Sequence, residues 1–468
     1  MPATLWIDVE DLFDHAAGMS RPSGIQRLGF EVCRALWEGH GAEGRIGFLR
    51  HDPPRAGFRA VPWPEVLGAF TRLAQAPADP RRMARHGAGD APAGGESAGR
   101  WRLRRLIYRL PPDIRRHLLA AARAHAAAWA AQAALLRACA RALATAVRSR
   151  PRAGADAAGS ADFATLARPG DVLVVLGAAW RYPDHAGLVG AARQRHGLRV
   201  ALLVFDVIPL RRPEWFEPAL TRDFRAWFAA ILPLADTVFA ISRATAADIA
   251  RVAGECGIAG HAAAEVLPIG GGFAVPAAAA RHRDAPEGDY ALFVSTIEAR
   301  KNHQLLFQVW RRLLDEIPPA RVPVLVFAGR VGWLVGDLMA QLANTGGLGG
   351  KIRVIADASD AELAGLYRGC RFTLFPSLYE GWGLPVTESL RFGKPCLAAR
   401  ASALPEAGGD FARYFDPENV NDAHAAIRAA IDDPAGLRAW EAEIARGFAP
   451  VPWAATAAAI LRRLDVRD

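Results

Sequence analysis

Two glutamates, Glu380 and Glu388, sit in the stretch FTLFPSLYEGWGLPVTESLRFGKP that runs from Phe372 to Pro395. A pair of acids at that spacing is common by chance; its surroundings give it meaning. Phe372–Phe375 reads as a strand, a loop follows through Leu384, and Pro385 suits the first turn of a helix. Glu380 then lies in the loop and Glu388 one turn into the helix. Gly381 and Gly383 let main chain approach a ligand closely. The free N–H groups of a helix start suit a phosphate, and carboxylates on either side suit sugar hydroxyls. An extended loop from Glu380 to Pro385 reaches roughly 15 Å, enough for the two acids to grip opposite ends of a sugar nucleotide.

Other chemistries lack their signatures. Neither the apolar run Leu5–Val9 nor Tyr290–Ser295 leads into Gly-x-Gly-x-x-Gly: Glu10-Asp11-Leu12 follows the first and Thr296-Ile297-Glu298 the second, which disfavours nicotinamide chemistry. The run Gly346–Lys351 resembles a P-loop, but Thr345 replaces its leading glycine and Ile352 its hydroxyl residue, so it reads as a surface loop. The twelve histidines are isolated in sequence, with no ligand spacing such as His-Glu-x-x-His, and no metal site is expected.

Positioning the two acids requires a scaffold, and the chain supplies one. From Asp171 onward, short apolar runs alternate with helical segments: Val172–Leu176, Val200–Phe205, Thr237–Ile241, Tyr290–Ser295, Val322–Ala328, Ile352–Ile355, Phe372–Phe375 and Cys396–Ala399. Such runs predict parallel sheets covered on both faces, hence a doubly wound α/β architecture. The alternation pauses at Pro268–Gly288. We therefore expect two Rossmann-like domains facing a central cleft: an acceptor-side domain over 1–275, a linker over 276–288, and a donor-binding domain over 289–468 whose last helix returns to the first.

The chain has 468 residues, 51% hydrophobic and 22% charged, which predicts a globular protein of two or more domains. No apolar run approaches the roughly 18 to 20 residues of a membrane span. Met1–Glu10 lacks the basic flank and apolar stretch of an export signal. Five scattered cysteines (Cys33, Cys139, Cys256, Cys370, Cys396) fit neither a disulfide framework nor a zinc site, so a reducing cytoplasm is expected. The net charge of +9 is concentrated: residues 100–152 hold thirteen arginines and one acid, and the rest of the chain is slightly acidic. The global balance thus gives no reason to expect a nucleic-acid partner. Residues 77–100 read as a linker, and the whole stretch 77–162 as a linker plus helical insertion in the first domain. Within it, Asp113–Arg148 reads as an amphipathic helix with Arg116, Arg123, Arg137, Arg141 and Arg148 on one face. Two readings stand for that face: solvated arginines on a packed helix, or peripheral docking on an anionic membrane aided by Trp101 and Trp129.

In this setting Phe372–Pro395 resembles the Glu-x7-Glu signature of retaining glycosyltransferases of family four, which have the two-domain GT-B fold. STIEARKNHQLL (Ser295–Leu306) is similar to that family's phosphate-binding segment. DAELAGLYRGC, LPEAGGD and DPEN follow in familiar order. In the first half, RPSGIQR, GAAWRYP, FDVIPLRRPEWF and ISRAT resemble a subgroup that builds bacterial surface polysaccharides such as lipopolysaccharide. The resemblance does not cover Pro77–Asp162. It implies transfer of a hexose, mannosyltransferase-like, from a nucleoside-diphosphate sugar to a sugar hydroxyl of a lipid-linked glycan, with no cofactor and no metal. Glu380 would contact the donor sugar and Glu388 the ribose. The main chain of Gly381, Trp382, Gly383 and Leu384 would hold sugar and diphosphate, and Gly24 would let the first loop approach the donor. Lys301 and Arg300 would neutralise the leaving diphosphate; cations oppose the helix dipole at a helix start unless an anion is bound there. Asp206 is the acceptor-side candidate. Two departures stand out: Ser295 or Thr296 occupies the place of a second family arginine, and Phe205 that of a histidine. The rival reading is a catalytically silent scaffold that binds nucleotide sugar or membrane in a polysaccharide assembly complex.

Overall fold

The computed structural model describes residues 3–18, 21–53, 57–75, 162–273 and 280–465. The linker and arginine-rich helix expected within 77–162, with Arg116, Arg123, Arg137, Arg141 and Arg148, lie outside the described residues, apart from Asp162.

Two sheets organise the rest. The first has the order β3-β2-β1-β4-β5-β6-β7, with β1 Leu5–Asp8, β2 Ile46–Asp52, β3 Gly57–Val61, β4 Val172–Val175, β5 Arg199–Val204, β6 Thr237–Ala240 and β7 Ala264–Val266. The second has the order β10-β9-β8-β11-β12-β13, with β8 Tyr290–Val294, β9 Val324–Ala328, β10 Ile352–Ile355, β11 Phe372–Phe375, β12 Cys396–Ala399 and β13 Arg413–Phe415. Every pairing is parallel except β2 with β3. The expected parallel, doubly wound sheets are present, with one antiparallel edge strand, β3, added to the first. β3, β7 and β13 are edge strands and β2 lies next to one; these strands escaped the sequence reading because polar residues such as Arg50 and His51 on β2 and Arg59 on β3 interrupt their apolar pattern.

Central strands are apolar on both faces because helices cover both: β4, VLVV, is buried throughout. In each sheet the winding reverses beside the first strand, between β1 and β4 and between β8 and β11. In such sheets the crevice beyond the carboxyl ends of the strands is where ligands bind. Asp8 ends β1, Asp206 follows β5, and Glu380 follows β11.

Three helices matter for the site. α1, Gly24–His40, starts the first domain's approach to the second. α2, Leu384–Arg391, begins after Gly383, whose φ of 111° is costly for any side chain, with Pro385 in its first turn. α3, Trp453–Arg463, packs on α1 and buries Ile460 and Leu461 in the first domain's core. Its Trp453 Nε1 donates to Gly272 O at 3.1 Å and its Thr456 Oγ1 to Pro268 O at 2.6 Å. The chain therefore closes back over the crossover between the sheets. No helix among the described residues is long and apolar enough to cross a membrane.

Candidate functional site

The turn Ala299–Lys301 after β8 sets Arg300 and Lys301 in place, and Asn302 ends it in the left-handed conformation at φ 60°. Asparagine tolerates that conformation better than most residues. Asn302 Nδ2 ties the turn to Pro417 O at 2.9 Å and Pro376 O at 3.3 Å. On the facing loop, Glu380 N donates to Ser402 Oγ at 2.7 Å. Two backbone anchors thus fix the two sides of a charged group.

At its centre Glu380 meets both cations. Lys301 Nζ lies 2.5 Å from Glu380 Oε1 and Arg300 Nη1 2.7 Å from Oε2. Arg300 is further committed, through Nη1 to Tyr379 O at 2.6 Å and through Nη2 to Glu298 Oε1 at 2.9 Å. Burial works to raise the Glu380 pKa, but Arg300 and Lys301 outweigh it and hold the carboxyl down at about 2. Burial and the charge of Arg300 lower the pKa of Lys301, whereas burial of Arg300 is outweighed by Glu380, Glu298 and Asp206, which keep it charged. Asp206 of the first domain stands in the field of Arg300, Glu380 and Lys301, its own pKa raised by burial. The expected set Glu380, Arg300, Lys301 and Asp206 is therefore brought together.

Gly381 is pressed against the first domain. A Cβ there would lie 2.2 Å from Phe205 O, and Gly381 O accepts from Thr245 Oγ1 at 3.3 Å. Trp382 packs against the cores of both domains, and its buried Nε1 has no partner among the described residues. Leu384 starts α2.

Glu388 is 5% exposed and accepts from Tyr367 OH at 2.8 Å. Burial raises its pKa against the opposing pull of Arg27 and Tyr367. Gly272, at φ 68°, lies so close that a Cβ would meet Glu388 Cγ at 2.8 Å. From the first domain, Arg27 forms a two-pronged pair with Asp360, at 2.8 and 3.0 Å, and Arg21 Nη2 reaches Asp357 O at 3.3 Å. Gly24, between them, starts α1, and a Cβ there would meet nothing within 4 Å, so this loop stays open at its tip.

Sequence reading missed several partners. Glu298 and Ser402 brace the charged group. Tyr367 and Arg27 lie inside stretches singled out for resemblance, but their pairing depends on the fold. Across the cleft, Glu406 caps a first-domain helix by accepting from Arg243 N at 2.8 Å and Ala244 N at 2.9 Å, and Tyr379 OH donates to Asp248 Oδ2 at 2.7 Å. The histidines are also less isolated than their spacing suggests: Asp8, His51 and His185 converge, with ligand-capable atoms all within 4.8 Å of one another. By contrast, Gly346–Gly350 forms a short exposed turn with Gly347, Leu348 and Gly349 left-handed, and takes no part in the site.

Residues 277–446 match the family described as glycosyl transferases group 1. The chain is 36% identical over 161 residues to the O-antigen chain mannosyltransferase B of Escherichia coli, covering 34% of this chain and 40% of that protein. It is 26% identical over 283 residues to a serotype-specific mannosyltransferase WbdA of Escherichia coli, covering 57% of this chain and 34% of that one. The matches thus span less than half the length of either relative. Among solved structures, an α,α-trehalose-phosphate synthase (UDP-forming) from Burkholderia xenovorans superposes with a TM-score of 0.50 at 17% identity, over 64% of this chain and 74% of the other, and shares the fold. The chain therefore has the GT-B architecture, and its residues 277–446, which include the second sheet, are similar to glycosyl transferases group 1.

Proposed function

We propose that this protein is a glycosyltransferase that moves a hexose, of which mannose is the first choice, from a nucleoside-diphosphate sugar to a hydroxyl of a bacterial surface polysaccharide, with retention of configuration. The observation that carries the reading is the joint placement of Glu380, Arg300 and Lys301 opposite Asp206, at the carboxyl ends of two facing doubly wound sheets. The names of the mannosyltransferase relatives support the sugar.

In this reading Lys301, with Arg300 behind it, meets the charge that grows on the diphosphate as the sugar–oxygen bond breaks. Glu380 turns to the donor sugar's hydroxyls and Glu388 to the ribose. The bond from sugar carbon to diphosphate oxygen breaks with its electron pair leaving on the diphosphate. The acceptor oxygen bonds to the same carbon from the same face, and its proton leaves with the diphosphate. Closure of the domains through Gly381 and Glu406 contributes orientation and excludes water. Metal independence belongs to the same proposal, since the two cations take the place of a Lewis acid. A lipid-linked acceptor and docking through the arginines of 100–152 rest on sequence alone; co-sedimentation with anionic vesicles, comparing wild type with the five-arginine-to-glutamine form, tests the docking.

The experiment for the main reading is transfer from a panel of nucleoside-diphosphate hexoses to methyl α-mannoside and α-linked manno-oligosaccharides, with the product anomer read by NMR. Transfer with the donor's configuration kept supports it. Tight nucleotide-sugar binding with neither transfer nor donor hydrolysis returns the silent scaffold.

A further inference from the structure

On the rim of the first sheet, away from the charged group, Asp8 Oδ2 accepts from His51 Nε2 at 2.9 Å and from His185 Nε2 at 3.0 Å, while Asp8 Oδ1 accepts from Glu10 N at 3.1 Å. The Asp8 and His185 side chains are buried, at 7% and 0% exposure, and that of His51 is 11% exposed. We propose that these residues form an acceptor subsite, in which His51, oriented by Asp8 with His185 behind it, contacts a sugar ring of the acceptor beyond the one that receives the hexose.

The tautomers come first, because two histidines and a carboxylate could also hold a metal. Trp227 Nε1, a donor only, faces His185 Nδ1 at 3.4 Å. His185 therefore carries its proton on Nε2 and gives it to Asp8. A histidine that binds metal through Nε2 instead carries its proton on Nδ1 and donates it to an acceptor, which an indole N–H is not. The cluster is wired as a hydrogen-bonded support for Asp8.

The support is rigid on His51's side as well. His51 N donates to Glu10 Oε2 at 2.9 Å, and Glu10 in turn takes Arg50 at 2.7 and 3.0 Å, with the Arg50 guanidinium over the Phe13 ring at 4.2 Å. With Nε2 held by Asp8, Nδ1 is the group left over, and it has no partner among the described residues. Burial acts to lower the His51 pKa, but the bond to Asp8 and the charges of Asp8, Glu10 and Asp14 raise it. Nδ1 offers a hydroxyl a lone pair on the neutral ring and an N–H on the protonated one. Beside it stands the Tyr182 ring, with centroids 4.8 Å apart and edge-on. A polar ring nitrogen next to an aromatic ring suits a sugar, whose hydroxyls both donate and accept and whose face carries C–H groups.

Position says which sugar. His51 lies near the carboxyl end of β2, and Asp206 follows β5; β1 and β4 come between. Three inter-strand steps put His51 about 14 Å from Asp206 along the same rim. A chain of linked pyranoses covers that distance and a single ring does not.

The proposal rests on the transferase reading above, so its test includes a measurement without turnover. We compare wild type, H51A and the more conservative H51Q using methyl α-mannoside and an α-linked mannotriose as acceptors. Wild type should prefer the trisaccharide, and H51A should lose about tenfold of that preference in kcat/KM, carried by KM, as expected for one lost hydrogen bond. H51Q should recover part of it. In parallel, saturation-transfer NMR should show mannotriose bound to wild type and weakened in H51A, with nucleoside-diphosphate binding as the check on folding. The proposal is overturned by an unchanged preference in H51A, by equal losses on both acceptors, or by stoichiometric zinc in wild type that H51A lacks. Mannotriose binding that depends on His51 without any transfer by wild type would instead overturn the transferase reading and leave the sugar subsite standing.

Discussion

Lys301 Nζ stands 2.5 Å from Glu380 Oε1, so the cation assigned to the diphosphate and the carboxylate assigned to the sugar are bonded to each other. In the proposed function, a diphosphate that takes Lys301 would loosen this pair and free the carboxylate for the sugar. On that proposal, recognition of the two ends of the donor would be coupled through one ion pair.

Replacing Glu380 by Gln leaves two buried cations without their carboxylate, a change that typically costs about 3 to 5 kcal/mol. Denaturant titration at pH 7 should show E380Q destabilised by about 3 kcal/mol. Because the folded pKa of Glu380 is held near 2 against an ordinary 4.5, its stabilisation is complete above 4.5 and fades as pH falls toward 2. The gap between wild type and E380Q should narrow over that interval. Inorganic diphosphate should bind E380Q more tightly than wild type, while transfer is lost.

Glu388 runs the opposite way. Its pKa is raised by burial, so its favourable contribution is present below the ordinary 4.5 and is lost as pH rises through the higher folded value. E388Q should therefore melt higher than wild type at pH 8, with the difference vanishing near pH 4. The same substitution should weaken nucleoside-diphosphate binding about 10- to 100-fold, the worth of a charged hydrogen bond. Unchanged affinity would remove ribose recognition from this residue.

Gly381→Ala inserts a methyl group 2.2 Å from Phe205 O, and backbone rather than a flexible side-chain tip must give way. The loop should be pushed off the first domain. We expect kcat to fall at least tenfold with nucleotide binding by the second domain retained, measured by calorimetry beside initial rates.

Treatment with EDTA should leave transfer intact, because Lys301 and Arg300 supply the positive charge. Loss of turnover restored by magnesium or manganese would move that role to a metal.

How much of this was legible beforehand follows from range. Val172–Val175 and Tyr290–Val294 are apolar on both faces because helices cover them, so strand and sheet type showed in the sequence. Gly383 and Pro385 marked the start of α2, since their backbone preferences are local. Arg27 with Asp360, Tyr367 with Glu388, and Glu406 with the helix start at Arg243 were hidden, because each pair joins elements far apart in the chain. Asp8, His51 and His185 meet only because β1, β2 and the helix after β4 share one rim. Charge in the composition pointed away from the site, as the arginine excess lies in 100–152.

The most direct test of the central claim is release of nucleoside diphosphate from a nucleoside-diphosphate hexose, followed in a single turnover with enzyme in excess, for wild type and Lys301→Ala. If Lys301 meets charge that grows as the bond breaks, K301A should slow the chemical step at least a hundredfold, while donor affinity changes by less than tenfold. Equal rates in the two proteins, or no release by wild type from any donor that it binds, would contradict the account.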